Sequence, residues 1–265
     1  MRRAALLGAL AALVAGSAQA EGRWRPIFDG KTLNGWTPKV NHRPAGENWK
    51  HTFVVKDGVL RVSYDEYGRF TDEYAHLVYN RKLTAYRLRL EYRFVGEPTP
   101  GAKGWAERNS GVMIHGQAAG DIGIDQPYPV SVEAQILGGR PGQTRPTGNV
   151  CTPGTTVAIA GKPMTEHCRN STSRTYQDGE WVRFEVEVHG GREVRQYVNG
   201  ELVMDYSDIR LAPDEYVDFK MDVGTPAGKA LVARGAAPLE DGYISLQGES
   251  TPIEFRRIEL MVLED

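Results

Sequence analysis

The sequence predicts an all-β, antiparallel sandwich built as one domain, and three observations carry that expectation. Short segments alternate apolar and polar residues at a period of two. Gly, Pro, Asn and Asp separate them, and almost nothing repeats at the helical period. Without strand–helix–strand alternation the strands must pair as hairpins and meanders, which makes antiparallel sheets. No linker or internal repeat splits the pattern, so residues 21–265 read as one domain.

The elements follow in chain order. Met1-Arg2-Arg3, an apolar run over 4–16 and Ala18-Gln19-Ala20 have the form of a secretory leader, 1–20, cleaved after Ala20. An exported protein of the periplasm or medium is therefore expected. The run is too short to span a membrane, and no later segment approaches the necessary length. Asp57-Gly58 turns the chain into a strand from Val59 to Val62. Leu88, Leu90, Tyr92 and Phe94 then alternate with Arg87, Arg89, Glu91 and Arg93. Asn109-Ser110-Gly111-Val112-Met113-Ile114-His115 reads as the next strand. In the one after it Val130, Val132, Ala134 and Ile136 point one way, and Ser131, Glu133 and Gln135 the other. Val182, Phe184, Val186 and Val188 form another strand. Asn199-Gly200, the strongest short hairpin signal, joins 194–198 to 201–204. Ile244 and Leu246 open the closing pair. In its second strand the apolar phase slips between Phe255 and Ile258, which predicts a bulge near Arg256-Arg257. Irregular stretches are expected at 96–108, 138–176 and 207–241, and loops of that length usually carry function.

Composition narrows the function. A net charge of -2 gives no electrostatic footprint for nucleic acid, and no basic amphipathic stretch marks a membrane surface. The only cysteines, Cys151 and Cys168, stand in the exported part, where a disulfide is the default. A zinc pair is the alternative, since His167 adjoins Cys168, but no four-ligand spacing appears. Neither a zinc-protease HExxH, nor a phosphate-binding glycine loop, nor a G-x-S-x-G elbow occurs. The Glu-x-Asp-x-x-Glu strand of laminarinase-type glycosidases is missing as well, which removes the paired carboxylates of conventional retaining hydrolysis.

A dispersed polar set remains. Glu133 and Gln135 share one strand face, offering an acid or base beside a two-sided hydrogen bonder suited to a polyhydroxylated ligand. Glu91 and Arg93 share another, His115 ends an apolar strand, and Asn109, Trp181, Gln247 and Arg256 complete the candidates. Each also has a bland reading: a solvated sheet face, a structural histidine, a turn asparagine or a core tryptophan.

A series of motifs runs in order along the chain. Pro26-Ile27-Phe28-Asp29-Gly30-Lys31-Thr32-Leu33-Asn34-Gly35-Trp36 opens it, followed by Leu90-Glu91-Tyr92-Arg93, Asn109-Ser110-Gly111-Val112 and Glu133-Ala134-Gln135-Ile136. Then come Gly179-Glu180-Trp181, Val198-Asn199-Gly200, Gly242-Tyr243-Ile244-Ser245-Leu246-Gln247 and Glu254-Phe255-Arg256-Arg257-Ile258-Glu259-Leu260. In these motifs the chain resembles the bacterial 3-keto-disaccharide hydrolase family, formerly a domain of unknown function. His115 departs from the arginine many members carry there, Arg257 departs from the usual asparagine, and the Cys151–Cys168 loop resembles one subgroup only.

The resemblance implies a concanavalin A-like jelly roll acting on glycosides oxidised at C3, with a carbohydrate as partner. A C3 ketone acidifies the C2 proton, so a base can remove it and expel the C1 oxygen, and water then adds. Such a site needs a base, an acid for the leaving oxygen, and a cation or dipole at the enolate. On this reading Glu133 or His115 is the base, Glu91 or His115 the acid, and Arg93 or Arg256 the stabiliser. A divalent metal is an alternative stabiliser, with no ligand set evident. Two rival readings stand: a glycan-binding module on the same sandwich, and a structural domain with a merely solvated polar face.

Overall fold

The computed structural model describes residues 22–264, so the expected leader lies outside the described residues. Two sheets stack on one core, and every strand pair in them is antiparallel. The ten-stranded sheet runs Lys162–Pro163, Thr155–Ile159, Glu201–Leu211, Glu193–Val198, Val182–His189, Ala85–Phe94, Ile253–Val262, Val59–Val62, Phe53–Lys56. Arg25–Pro26 adds to Ile253–Val262. The seven-stranded sheet runs Cys168–Arg169, Asn149–Cys151, Val132–Leu137, Asn109–Gly116, Tyr243–Gly248, Ala75–Tyr79, Trp36–Val40.

Alternation decides which side chains meet between the sheets. Leu88, Leu90 and Tyr92 of one sheet and Val132, Ala134 and Ile136 of the other are buried in the same apolar cluster. Their polar neighbours therefore point to the two outer faces of the sandwich. The hairpin forms as expected, with Asn199 at φ 51° and Gly200 at φ 89°, the left-handed pair a tight hairpin requires. The ladder between Ile253–Val262 and Ala85–Phe94 shifts register between Arg256 and Glu259, where the apolar phase slipped.

Local pattern missed several elements. The stretch 138–176 is not simply irregular, because it holds Asn149–Cys151, Thr155–Ile159, Lys162–Pro163 and Cys168–Arg169. Strands of two to five residues are too short to display a period, and they are held by their neighbours. Ala75–Tyr79 is buried throughout, so it shows no alternation. Trp36–Val40 contains Pro38, which the sheet tolerates because this strand is its edge. Within 207–241, Pro226–Ala233 forms the α-helix, with Pro226 in its first turn and the Thr225 hydroxyl accepting from the Gly228 N–H at 3.1 Å.

Candidate functional site

The outer face of the seven-stranded sheet carries the polar half of each alternation. Met113 stands opposite Glu133, and Glu133 opposite Cys151, while His76 stands opposite Gln247 and Gln135 opposite both Gly111 and Asn149. Glu133 lies directly over Gly111: a Cβ there would meet its Cγ and Oε1 at 2.6 Å. The missing side chain is what lets the glutamate fold across the sheet.

Loops roof this face and enclose about 480 Å³. Tyr74 and Asn41 flank one side, and Tyr128 and Pro127 come from the segment before Val132–Leu137. All three long stretches singled out above contribute: Lys103 and Trp105 from the first, Pro153 and His167 from the second, Phe219 and Lys220 from the third. The Cys151–Cys168 disulfide joins two adjacent strands in the cavity wall. Cys151, His167 and Cys168 are the one group of three metal-capable side chains found among the described residues, and the disulfide consumes both thiols.

The floor is dominated by two buried carboxyls. Glu133 is 6% exposed and Glu249 is 2% exposed. Burial lifts the Glu133 pKa to about 8. Burial also lifts that of Glu249, and charge on one carboxyl opposes charge on the other, so the pair gives up its two protons in separate steps. Tyr128 stands close enough to favour ionised Glu249, without the alignment of a full hydrogen bond. Burial keeps the Tyr128 hydroxyl itself protonated.

Around the pair, polar atoms lack protein partners. Both amide atoms of Gln247 are buried without one, as are Oε1 of Glu133, Oε2 of Glu249 and Oδ1 of Asn109. His76 donates from Nε2 to the Pro127 carbonyl at 3.0 Å, and burial lowers its pKa to about 4. The ring is therefore neutral, and its Nδ1 is an acceptor with no partner. Such a density of unsatisfied groups is costly in an apolar interior and is what a hydroxyl-rich ligand would relieve. The Gln135 amide is held by Asn149, whose Nδ2 donates to its Oε1 at 2.9 Å.

A stability prediction follows from Glu133. A carboxyl whose folded-state pKa is raised retains its proton where the unfolded chain has lost it. Stability thus falls as pH climbs from the ordinary 4.5 through about 8. Melting temperatures across that window should decline in the wild type, and Glu133→Gln should flatten the decline. An unchanged slope in the variant would mean that Glu133 is not the buried proton.

The expected site residues divide. Glu133, Gln135 and Asn109 line the cavity, and Gln247 shares their face. Glu91, Arg93, Trp181 and Arg256 do not join them, because they lie on the outer face of the ten-stranded sheet, across the core. There Glu91 accepts from Arg256 Nε at 2.7 Å and from Arg257 at 2.8 Å. Burial opposes its ionisation, but the two guanidiniums prevail and lower its pKa. It is a paired carboxylate with no proton to give. Arg93 and Arg256 sit over the Trp181 ring at 4.4 and 3.8 Å. His115 leaves the row for another reason: its φ of 52° and the register shift opposite turn it toward a separate cleft with Lys82 and Asp241. Its Nε2 donates to the Gly190 carbonyl at 3.0 Å, and burial lowers its pKa.

Glu249, Tyr128, Tyr74, Trp105 and His76 were not singled out from the sequence. Glu249 had a usable signal, because it continues the parity of Ser245 and Gln247 one step past the strand. Loop residues such as Tyr128 carry no periodicity and had none.

The two stacked antiparallel sheets form a concanavalin A-like jelly-roll sandwich. The chain belongs to the 3-keto-alpha-glucoside-1,2-lyase-like domain family, which it matches over residues 23–261, and its function is therefore carbohydrate-related. Two solved structures from Parabacteroides distasonis ATCC 8503, each described as a candidate glycosyl hydrolase, share the fold. One is 18% identical, covering 92% of this chain and 94% of that one, at a TM-score of 0.51. The other is 19% identical, covering 91% and 100%, at a TM-score of 0.50. No curated protein matches the chain.

Proposed function

We propose that the protein cleaves glycosides whose sugar carries a ketone at C3, by elimination followed by hydration. The observation that carries this reading is the Glu133–Glu249 pair: two buried carboxyls lining one cavity, each favouring its protonated form and each opposing charge on the other, beside the unpartnered Asn109 Oδ1 and Tyr128 hydroxyl. Ionised Glu133 removes the C2 proton. The electron pair passes into the C2–C3 enolate, then forms the C1–C2 double bond as the C1–O bond breaks. Protonated Glu249 gives its proton to the departing oxygen. Water then adds at C1 and a proton at C2, yielding the 3-keto sugar. A base near pKa 8 balances basicity against the fraction ionised at neutral pH. The protonated Tyr128 hydroxyl, an uncharged donor in the lining, takes the enolate role in place of Arg93 or Arg256.

An oxidising compartment, the periplasm or medium, fits the Cys151–Cys168 bond. Among the described residues no helix is long and apolar enough to cross a membrane. A glycan-binding module is the competing reading, favoured by the unpartnered Asn109 Oδ1 in the cavity wall. Incubating the protein in heavy water with a 3-keto-glucoside and with its unoxidised parent separates the two. Release of the aglycone from the ketone alone, with deuterium incorporated at C2, is the expected result. Saturable binding of the ketone with no product would assign the protein to the binding modules.

A further inference from the structure

The cavity is chemically divided between floor and mouth. The buried unpartnered polar atoms of its lining belong to Glu133, Glu249, Asn109, Tyr128 and Asn41, at the floor and inner wall. From that floor an aromatic run climbs outward. His76 meets Tyr128 edge-on, Tyr128 packs on Tyr74 at 4.9 Å, and Trp105 stacks on Tyr74 at an interplanar angle of 12°. Trp105 is 51% exposed, with Tyr74 stacked on its ring and the Lys103 ammonium 5.9 Å from the ring centroid. Phe219 stands in the wall on a different loop, packed against His167 at 4.6 Å. Ile124 and Val217, next in sequence to the lining residues Asp125 and Asp218, are exposed.

Polar groups at the mouth are partly engaged with one another. Lys103 pairs with Asp72 at 3.3 Å, and His42 Nδ1 shares a hydrogen bond with Asp125 at 2.7 Å. A second sugar placed there would find its hydroxyls facing aromatic rings and polar groups already engaged. A flat apolar ring would instead cover the Trp105 face and displace water from it.

We infer that the group leaving from C1 is an aryl or similarly flat apolar aglycone, held against Trp105 and Phe219, while the floor takes a single oxidised sugar. This rests on the proposed function for the identity of the floor's occupant. An aryl oxide is also a better leaving group than a sugar alkoxide, so it asks less of Glu249.

The test measures binding apart from turnover. Calorimetry on Glu133→Gln compares phenyl, methyl and glucosyl 3-keto-glucosides. The phenyl compound should bind about tenfold more tightly than the methyl one, and the glucosyl compound no more tightly than the methyl one, as stacking of this kind allows. In Glu133→Gln/Trp105→Ala the phenyl advantage should vanish while methyl affinity holds, and Trp105→Phe should restore part of it. Glucosyl binding as tight as phenyl overturns the inference, as does equal weakening of methyl and phenyl by Trp105→Ala, or no binding of any of the three. Should the phenyl advantage appear while the wild type turns over none of the compounds, the reading of the mouth stands and the elimination reading falls.

Discussion

Glu133→Gln is expected to slow release of the aglycone from a 3-keto-glucoside by about 10²- to 10⁴-fold, the usual contribution of a positioned acid or base. The substitution keeps the side chain's shape over Gly111 and removes its basicity, so ligand affinity should change little. Glu249→Gln provides the contrast. If Glu249 protonates the leaving oxygen, its loss should slow a methyl glycoside much more than a phenyl glycoside, because phenoxide departs without help. Full activity in Glu133→Gln would place the base elsewhere, and equal slowing of both substrates by Glu249→Gln would remove its role as the acid.

Removing the disulfide should have the largest effect on stability. Cys151 and Cys168 are 17 residues apart, and a closed loop of that size stabilises by about 3 kcal/mol on the chain-entropy account. For a chain of this size Cys151→Ala/Cys168→Ala should lower the melting temperature by about 6–12 °C. The bond also lies beside the chemistry, since Cys151 is the register partner of Glu133 and both cysteines line the cavity. The variant should therefore bind 3-keto-glycosides more weakly even well below its melting temperature. Unchanged melting in oxidised wild type and variant would show that the bond does not stabilise the fold. Unchanged affinity would show that the wall keeps its shape without it.

The amino-acid sequence by itself determined the sandwich, because a period of two commits each strand to one apolar and one polar face before any partner is chosen. It determined that Val132, Ala134 and Ile136 would be interior and that Glu133 and Gln135 would face away from them, as well as the hairpin at Asn199-Gly200 and the bulge after Arg256. It also left the two cysteines no obvious partner but each other. It could not say which sheet each strand would join. Glu91, Arg93 and Arg256 have the same local pattern as Glu133 and Gln135, yet they lie on the opposite outer face, because strand order is set by pairing between segments far apart in the chain. Burial was likewise a tertiary outcome. Glu133 occupies a polar face that would be solvated in an isolated sheet, and only the roof of three distant loops withdraws it from water and raises its proton affinity. Its partner Glu249 and the Trp105–Tyr74–Tyr128 run lie at strand ends and in loops, where no period marks a side chain's direction, and the folded chain alone brings them to one cavity.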